Sequence, residues 1–405
     1  MLAAHFLKHI IHEGTLRVVD ATGRTHAFGG AVAGPASTIR LHDRSLHYKL
    51  LLNPYLHVGE AYMDGNLTFE DGDLRTFLDL VGRNVAALDS SLLGRFNLWK
   101  NHVAHTLNQF NPAPLARKRV AHHYDLSDEL YDLFLDDDRQ YSCAYWRTDA
   151  DDLEAAQHHK KVHIASKLRI EPGVRVLDIG CGWGGLALEL ARQGADRVVG
   201  ITLSEEQVKV ANRRAREAGL DGRVEFRLED YRHIEGPFDR IVSVGMFEHV
   251  GVRQYRAFFR TVRNLLTDDG VALLHSIGRM EPPGSTNAWL RKYIFPGGYT
   301  PAMSEVLGAV EKEQPLWATD IEVLRLHYAW TLREWHRRFA ANRDTVKRLY
   351  DERFCRMWEF YLLGCEMAFR YWNQMVFQLQ LARRQDAVPL TRDYMVDAER
   401  RLMES

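Results

Sequence analysis

Between Val174 and Gln207 the chain reads Val-Arg-Val-Leu-Asp-Ile-Gly-Cys-Gly-Trp-Gly-Gly, then a helical stretch, then Arg-Val-Val-Gly-Ile-Thr-Leu-Ser-Glu-Glu-Gln. Val174, Val176, Leu177 and Ile179 form a short apolar run of the buried-strand type. The glycines that follow, Gly180, Gly182, Gly184 and Gly185, let the backbone turn sharply and approach a ligand closely. The spacing predicts a strand, a glycine loop, a helix from Gly185 with Leu186, Leu190 and Ala191 inward, and a second strand. A helix starting there points its first amides at whatever the loop holds.

Glycine-rich strand-to-helix turns serve several cofactors, and the surrounding residues discriminate between them. A nicotinamide site puts an acid at the end of the next strand for the ribose, whereas Val198 to Ile201 runs into Thr202. No Gly-Lys-Ser/Thr follows the glycines, which excludes a P-loop. Asp178 sits inside the motif, two residues before Gly180. The loop resembles motif I of the S-adenosylmethionine-dependent methyltransferases, in which glycine backbone and the strand-end acid hold the amino-acid and ribose parts of the cofactor.

With 405 residues the chain is long enough for two domains and a large core. Lys and Arg (53) balance Asp and Glu (54), so no global field points to a nucleic-acid partner, and an anionic partner has to be met by local patches. The four cysteines (Cys143, Cys181, Cys355, Cys365) lack CxxC or zinc-type spacing, which predicts free thiols, no disulfide and no structural metal. The first residues lack the apolar core of a signal peptide, and no apolar run reaches the roughly 18 residues a membrane span needs. The expectation is a soluble or peripheral protein.

Residues 1 to about 80 read as mixed α/β, with strand-like Leu16 to Asp20, a turn at Asp20-Ala-Thr-Gly and period-two alternation in Thr38-Ile-Arg-Leu-His. A helical stretch with Leu88, Leu92, Phe96 and Trp99 is broken by Asn111-Pro-Ala-Pro, which puts a domain boundary near 110. Beyond the glycine loop, strands are predicted at Val198 to Ile201, Val224 to Arg227, Arg240 to Val244 and Val271 to Ser276, with helices between them. That alternation predicts an α/β fold with a doubly wound, mostly parallel sheet. Residues from about 279 to 330 read as an insertion rich in Pro, Gly and aromatics, 328 to about 384 as helical, and the last residues as a polar tail.

Six segments then occur in one order: Tyr141-Ser-Cys-Ala-Tyr-Trp, Gly180-Cys-Gly-Trp-Gly-Gly, Thr202-Leu-Ser-Glu-Glu-Gln, Phe247-Glu-His-Val-Gly, Leu274-His-Ser-Ile-Gly and Lys292-Tyr-Ile-Phe-Pro-Gly-Gly. With them the chain resembles the cyclopropane-fatty-acyl-phospholipid synthases over about 115 to 385, and it is similar to the mycolic acid cyclopropane synthases over the same catalytic part. The resemblance implies a Rossmann-like class I methyltransferase domain over 111–405, with a substrate-covering insertion near 279–330. It also implies a smaller mixed α/β lipid-handling domain over 1–110.

The activity implied is transfer of the methyl group of S-adenosylmethionine to a cis double bond in an unsaturated phospholipid acyl chain, with a bound bicarbonate removing the proton as the ring closes. An alkene is a poor nucleophile, so such an enzyme needs a positioned donor, a dry pocket and a base beside the new methyl. Aromatic walls suit a developing cation. Trp146, Tyr293, Phe295 and Tyr299 fit that role or plain packing equally well.

Carried over residue by residue, the bicarbonate site comprises Cys143 and Ile277 through backbone groups and Glu248, His275 and Tyr328 through side chains. Cys365, in Leu363-Gly-Cys-Glu-Met, matches a position named in the family as an active-site cysteine, although the carbocation route needs no thiol. The cofactor site comprises Tyr141 and Ser142; Val176, Asp178, Gly180, Cys181, Gly182 and Gly184; Thr202, Leu203 and Gln207; and Asp230, Tyr231 and Arg232. An acid at Asp230 can accept from an adenine amino group or be a solvated loop acid. The resemblance further implies a homodimer, cytoplasmic and peripherally associated with the inner face of the cell membrane. Docking there falls to Arg117-Lys-Arg and to Trp289-Leu-Arg-Lys-Tyr-Ile-Phe. Three rival readings stay open: a fatty-acid C-methyltransferase leaving a methylene or methyl branch, a small-molecule N-methyltransferase, and a lipid carrier with a dead catalytic domain.

Overall fold

The computed structural model describes residues 4–85 and 127–404. The expected boundary near 110, the helix through Leu88 to Trp99 and the basic run at Arg117 lie outside the described residues. The chain divides into two compact units, and not as the contiguous blocks 1–110 and 111–405. The first unit combines the N-terminal residues with Gly284–Pro296 and Leu332–Gln374; the second takes the described residues from 127 to 283, Gly297–Thr331 and Met375–Ser405.

The first unit is built on a four-stranded sheet, ordered β2-β1-β3-β4, of β1 (Glu13–Val19), β2 (Thr25–Gly29), β3 (Val32–Leu41) and β4 (Leu67–Asp71). β1 and β2 form an antiparallel hairpin, and Asp20 fixes its turn by accepting from the backbone amides of Thr22 (2.9 Å) and Arg24 (3.1 Å). Leu16, Val18, Ile39 and Leu41 share one core with Phe77 of the helix Leu74–Arg83 and with Leu363 and Met367 of the helix Glu352–Tyr371. The two distant segments join the N-terminal unit because they complete this core. Trp289, 1 % exposed, is sunk in the same unit with its indole N–H on the Met63 sulfur at 3.2 Å. The expected docking role of that tryptophan is corrected accordingly: its ring is internal packing.

The second unit carries a seven-stranded sheet of β5 (Arg175–Ile179), β6 (Arg197–Thr202), β7 (Val224–Leu228), β8 (Phe238–Val244), β9 (Leu266–Arg279), β10 (Trp317–Val323) and β11 (Gln374–Ala382). Their order is β10-β11-β9-β8-β5-β6-β7. Pairs β5/β6, β6/β7, β5/β8 and β8/β9 are parallel, and β10/β11 is antiparallel. The strands are buried on both faces: Leu177, Ile241 and Leu274 enter one apolar layer while Val176, Val242 and Leu273 enter the other. This is the mostly parallel, doubly wound sheet expected.

Three elements differ from expectation. β10 lies within the insertion, β11 lies where the pattern reads helical, and the tail forms the helix Asp393–Glu404. Gln374-Met-Val-Phe-Gln-Leu-Gln-Leu-Ala is buried along nearly its whole length, and a strand buried on both faces loses the polar-apolar alternation that separates it from a buried helix. The final helix packs on the helix Leu153–Leu168, where Glu399 reaches His163 Nδ1 at 3.1 Å.

Candidate active site

The strand order reverses at β5: β6 pairs on one side of it and β8 on the other. In an open parallel sheet the crevice for a ligand opens at the carboxyl ends of the strands flanking such a reversal. A cavity of about 860 Å³ lies there, lined by Ile179 and Gly180, Thr202 and Leu203, and Val244 and Gly245. Gly182, Gln207, Asp230, Tyr231 and Arg232 also reach it. Met246, His249 and Gln254 complete the wall and were not read from the sequence.

The loop glycines have separate reasons to be glycine. At Gly184 (φ +86°) a Cβ would meet Phe226 Cζ at 2.5 Å, so packing forbids a side chain. At Gly182 (φ +55°) a Cβ would meet no protein atom within 4 Å, so a side chain would intrude on the cavity. Val176 and Cys181 belong to the hydrophobic core, and burial raises the Cys181 thiol well above its ordinary range. Tyr141 packs edge-on against Tyr131, with ring centroids 5.4 Å apart.

Two buried polar side chains lack partners here: Asp178, which lies behind Ile179 and outside the cavity lining, and Gln207, which is part of it. Asp178 Oδ2 is buried with no hydrogen-bond partner, and burial pushes this carboxyl up to about 7, with the Lys160 charge opposing. Gln207 accepts from Thr202 Oγ1 through Oε1 at 2.7 Å, which leaves its buried Nε2 unpartnered. An acceptor and a donor held dry and unsatisfied fit a ligand carrying both ammonium or hydroxyl and acceptor groups. Asp230 is differently committed: Arg232 donates to Oδ1 through Nε (2.8 Å) and to Oδ2 through Nη2 (2.5 Å). Burial raises the Asp230 carboxyl, and these bonds outweigh it and hold it low. Oδ2 takes a single bond from Arg232 and keeps acceptor capacity for an adenine amino group.

Beyond β8 the chain makes a short 3-10 turn, Phe247–His249, that brings Glu248 against the end of β9. The backbone amide of Ile277 donates to Glu248 Oε1 at 2.7 Å, while Oε2 is buried without a partner. Burial raises this carboxyl to about 7, although the Ile277 amide pulls the other way. Of the Ile277 backbone groups, the N–H is thus occupied by Glu248. Tyr299 donates its backbone amide to the Glu248 carbonyl at 2.9 Å and so braces the turn, while its ring hydroxyl donates to Glu305 Oε2 at 2.7 Å.

His275, two residues before Ile277 on β9, is 2 % exposed; burial first, then the Lys160 and Lys167 charges, pull it down to about 3, so the ring is neutral at pH 7. Gln378 Nε2 of β11 lies 3.2 Å from His275 Nδ1. With the amide nitrogen as donor, Nδ1 accepts and the imidazole proton sits on Nε2.

Cys143 and Tyr328 are joined through Thr331. Its hydroxyl accepts from the Ala144 amide at 3.1 Å and donates to the His327 carbonyl at 2.8 Å, tying the Tyr141-Ser-Cys-Ala segment to the helix His327–Ala341 that carries Tyr328. Trp146 is anchored there too, its indole N–H on Thr331 Oγ1 at 3.1 Å. The Cys143 thiol is buried and held far above the ordinary thiol range, so Cys143 offers no thiolate. The five expected residues Cys143, Glu248, His275, Ile277 and Tyr328 all lie in the second unit. Cys365 lies in the first, with Tyr293 and Phe295. There it lines an apolar cavity with Tyr55, Phe77, Leu290 and Phe360, and burial pushes its thiol up to about 12. A thiol held in its protonated form offers little thiolate at pH 7.

The model of the mycolic acid cyclopropane synthetase family matches residues 113–379. The chain belongs to this family. It is 39 % identical over 356 residues to the cyclopropane-fatty-acyl-phospholipid synthase of Escherichia coli K12, covering 88 % of this chain and 90 % of that one. It is 36 % identical over 399 residues to a tuberculostearic acid methyltransferase of Mycobacterium tuberculosis, covering 94 % and 91 %. Among solved structures, the mycolic acid cyclopropane synthase CmaA1 complexed with SAH and CTAB superposes with a TM-score of 0.62 at 33 % identity, over 67 % of this chain and 99 % of that one. Membership in the cyclopropane synthetase family makes the chain an S-adenosylmethionine-dependent methyltransferase.

Proposed function

We propose that this enzyme methylates the cis double bond of an unsaturated phospholipid acyl chain and closes it to a cyclopropane, using a bound bicarbonate as base. S-adenosylmethionine supplies the methyl group. Asp178 Oδ2 and Gln207 Nε2 bind and orient it, and the glycine backbone lets it approach. Bicarbonate, held by Glu248, His275, Tyr328 and the Cys143 backbone, would supply the proton acceptor that this chain's own side chains lack.

The single observation that carries the reading is the unpartnered, buried Glu248 Oε2, on a turn hydrogen-bonded to Ile277 of β9, the strand that carries the neutral His275. The Ile277 amide fixes one carboxyl oxygen and leaves the other to share a proton, while the His275 Nε2–H donates. Such a pair suits an ion that carries both a hydroxyl and acceptor oxygens. An amine substrate already carries a lone pair and needs no such niche, which speaks against N-methylation.

The acyl chain has an apolar receptacle in the cavity beside Cys365, whose walls are almost wholly apolar; this supports lipid handling by the first unit. No helix among the described residues is long and apolar enough to cross a membrane. We propose peripheral action at the inner face of the cell membrane, as a homodimer. Co-sedimentation with anionic vesicles at low salt and analytical ultracentrifugation test these two points.

Mass spectrometry of lipids from an expressing host decides the product. A gain of one CH2 with loss of the double bond is expected. Retained unsaturation, or a saturated methyl branch, overturns ring closure in favour of a C-methyltransferase like the tuberculostearic relative. Assays on bicarbonate-depleted enzyme, before and after add-back, test the base: activity indifferent to the ion overturns it.

A further inference from the structure

The helix Leu153–Leu168 faces the sheet with polar residues that the site described above does not use. Lys160 is wholly buried, and its Nζ donates to Gln140 Oε1 at 2.7 Å and to Ser142 Oγ at 2.9 Å. Gln157, one helical turn earlier and 1 % exposed, donates Nε2 to the carbonyls of Gln140 (3.1 Å) and Ser142 (3.0 Å), and its Oε1 is buried without a partner. Four hydrogen bonds from two residues on one helix face thus grip the strand-like segment that precedes Cys143.

The ammonium has only neutral acceptors within hydrogen-bond range, and among the described residues no carboxylate oxygen lies within 4.0 Å of it. Its bond to Ser142, the residue before Cys143, sets the ammonium beside the base niche, and its charge lowers the thiol of Cys143, the carboxyl of Asp178 and the imidazole of His275. Burial pulls Lys160 down to about 8, with Asp136 and Asp138 opposing, so it is a cation at pH 7. An unpaired buried cation is costly unless an anion shares its space.

We infer that Lys160 is a positioning residue whose buried ammonium supplies the attraction that holds the small anionic base beside Cys143 and His275, while Gln157 fixes the backbone of the segment it holds. This inference rests on the bicarbonate reading. It assigns the anion's affinity to a residue that touches neither reacting atom, and it explains how an ion can enter a niche that already contains the acidic side chain of Glu248.

The test measures bicarbonate binding directly, by calorimetric titration into protein saturated with S-adenosylhomocysteine, for wild type, Lys160→Gln, Lys160→Arg and Gln157→Leu. Lys160→Gln keeps a donor and removes the charge; its bicarbonate Kd is expected to rise about tenfold or more, while S-adenosylhomocysteine affinity moves far less. Lys160→Arg keeps the charge and is expected to hold Kd within about threefold. Gln157→Leu loosens the segment and keeps the charge, so it is expected to raise bicarbonate Kd less than Lys160→Gln does; where Lys160→Gln does not fold, Lys160→Met takes its place. An equal loss of bicarbonate affinity in Gln157→Leu means the grip and not the charge is responsible, and overturns the inference. Wild type that binds bicarbonate, beside a Lys160→Gln protein with unchanged Kd, overturns the role of Lys160 alone. Wild type that binds no bicarbonate overturns the underlying reading, and this inference with it.

Discussion

Ile277 and Glu248, 29 residues apart in sequence, share one hydrogen bond of 2.7 Å that fixes the carboxyl by its Oε1 and leaves Oε2 dry and unpaired. The amide that could have met a substrate or an ion meets the acid instead. Glu248 thereby has one oxygen for structure and one for chemistry.

Replacing Glu248 by Gln preserves acceptance from Ile277 and removes the proton-sharing oxygen. Turnover is expected to fall about 10²-fold or more if the niche works as a general-base device, with S-adenosylmethionine affinity unchanged. Steady-state rates beside calorimetric affinity for the cofactor check both halves.

The same acids set a pH dependence of stability. Glu248 and Asp178 both have folded-state carboxyls raised to about 7, above their unfolded values. The folded chain therefore binds these protons more tightly. Their favourable contribution is complete at acid pH below the unfolded values and is lost as pH rises through about 7. Asp178→Asn and Glu248→Gln are each expected to gain on the order of 1 to 3 kcal/mol over wild type at pH 8, and nearly nothing at pH 4. Thermal unfolding midpoints at the two pH values check this; a gain independent of pH would mean that the acids are already ionised and solvated.

Gln378 is expected to act through His275. Gln378→Leu removes the donor to Nδ1 and frees the ring to take the other tautomer. Nitrogen-15 spectra of His275 are expected to shift from the Nε2–H form toward a mixture, with kcat falling about tenfold or more and the cofactor KM little changed. A wild-type tautomer in the variant would remove Gln378 from this role.

The loop glycines separate binding from folding. Gly182→Ala is expected to cost cofactor affinity, plus about 1 to 2 kcal/mol of stability for the left-handed backbone. Gly184→Ala, driven against Phe226, is expected to cost more stability than Gly182→Ala. Calorimetric titration and unfolding midpoints on both variants would show this crossed pattern; equal affinity in Gly182→Ala would take that glycine out of the cavity wall.

Deleting residues 1–110 is expected to give insoluble protein, since Leu363 and Met367 would lose Leu16, Ile39 and Phe77 from their core. A soluble, monodisperse 111–405 fragment would show that the late helix folds without the N-terminal sheet.

Much of the site is legible in sequence because its residues sit at the ends of strands with strong signals. The apolar run before Gly180, the Thr202-Leu-Ser-Glu-Glu-Gln step and the His275 strand all announce their elements, and chemistry follows from the carboxyl ends. Lys160, Gln157 and Gln378 escape for one reason: each is a polar residue buried by the fold. His158-His-Lys-Lys carries no apolar signal of burial, and Gln374 to Ala382 reads as part of a helical stretch, yet the fold buries Lys160 and Gln378 completely. Asp230 lines the cavity as its place after β7 suggests, and the pair it makes with Arg232, two residues on, is not legible in the sequence.

β11 lies between β10 and β9, and its Gln378 meets the catalytic-domain histidine made about a hundred residues earlier. During synthesis, then, β9 waits with a bare edge, and His275 without its partner, until the stretch through Ala382 has left the ribosome. The nascent chain carries a complete glycine loop long before it carries a complete reaction chamber.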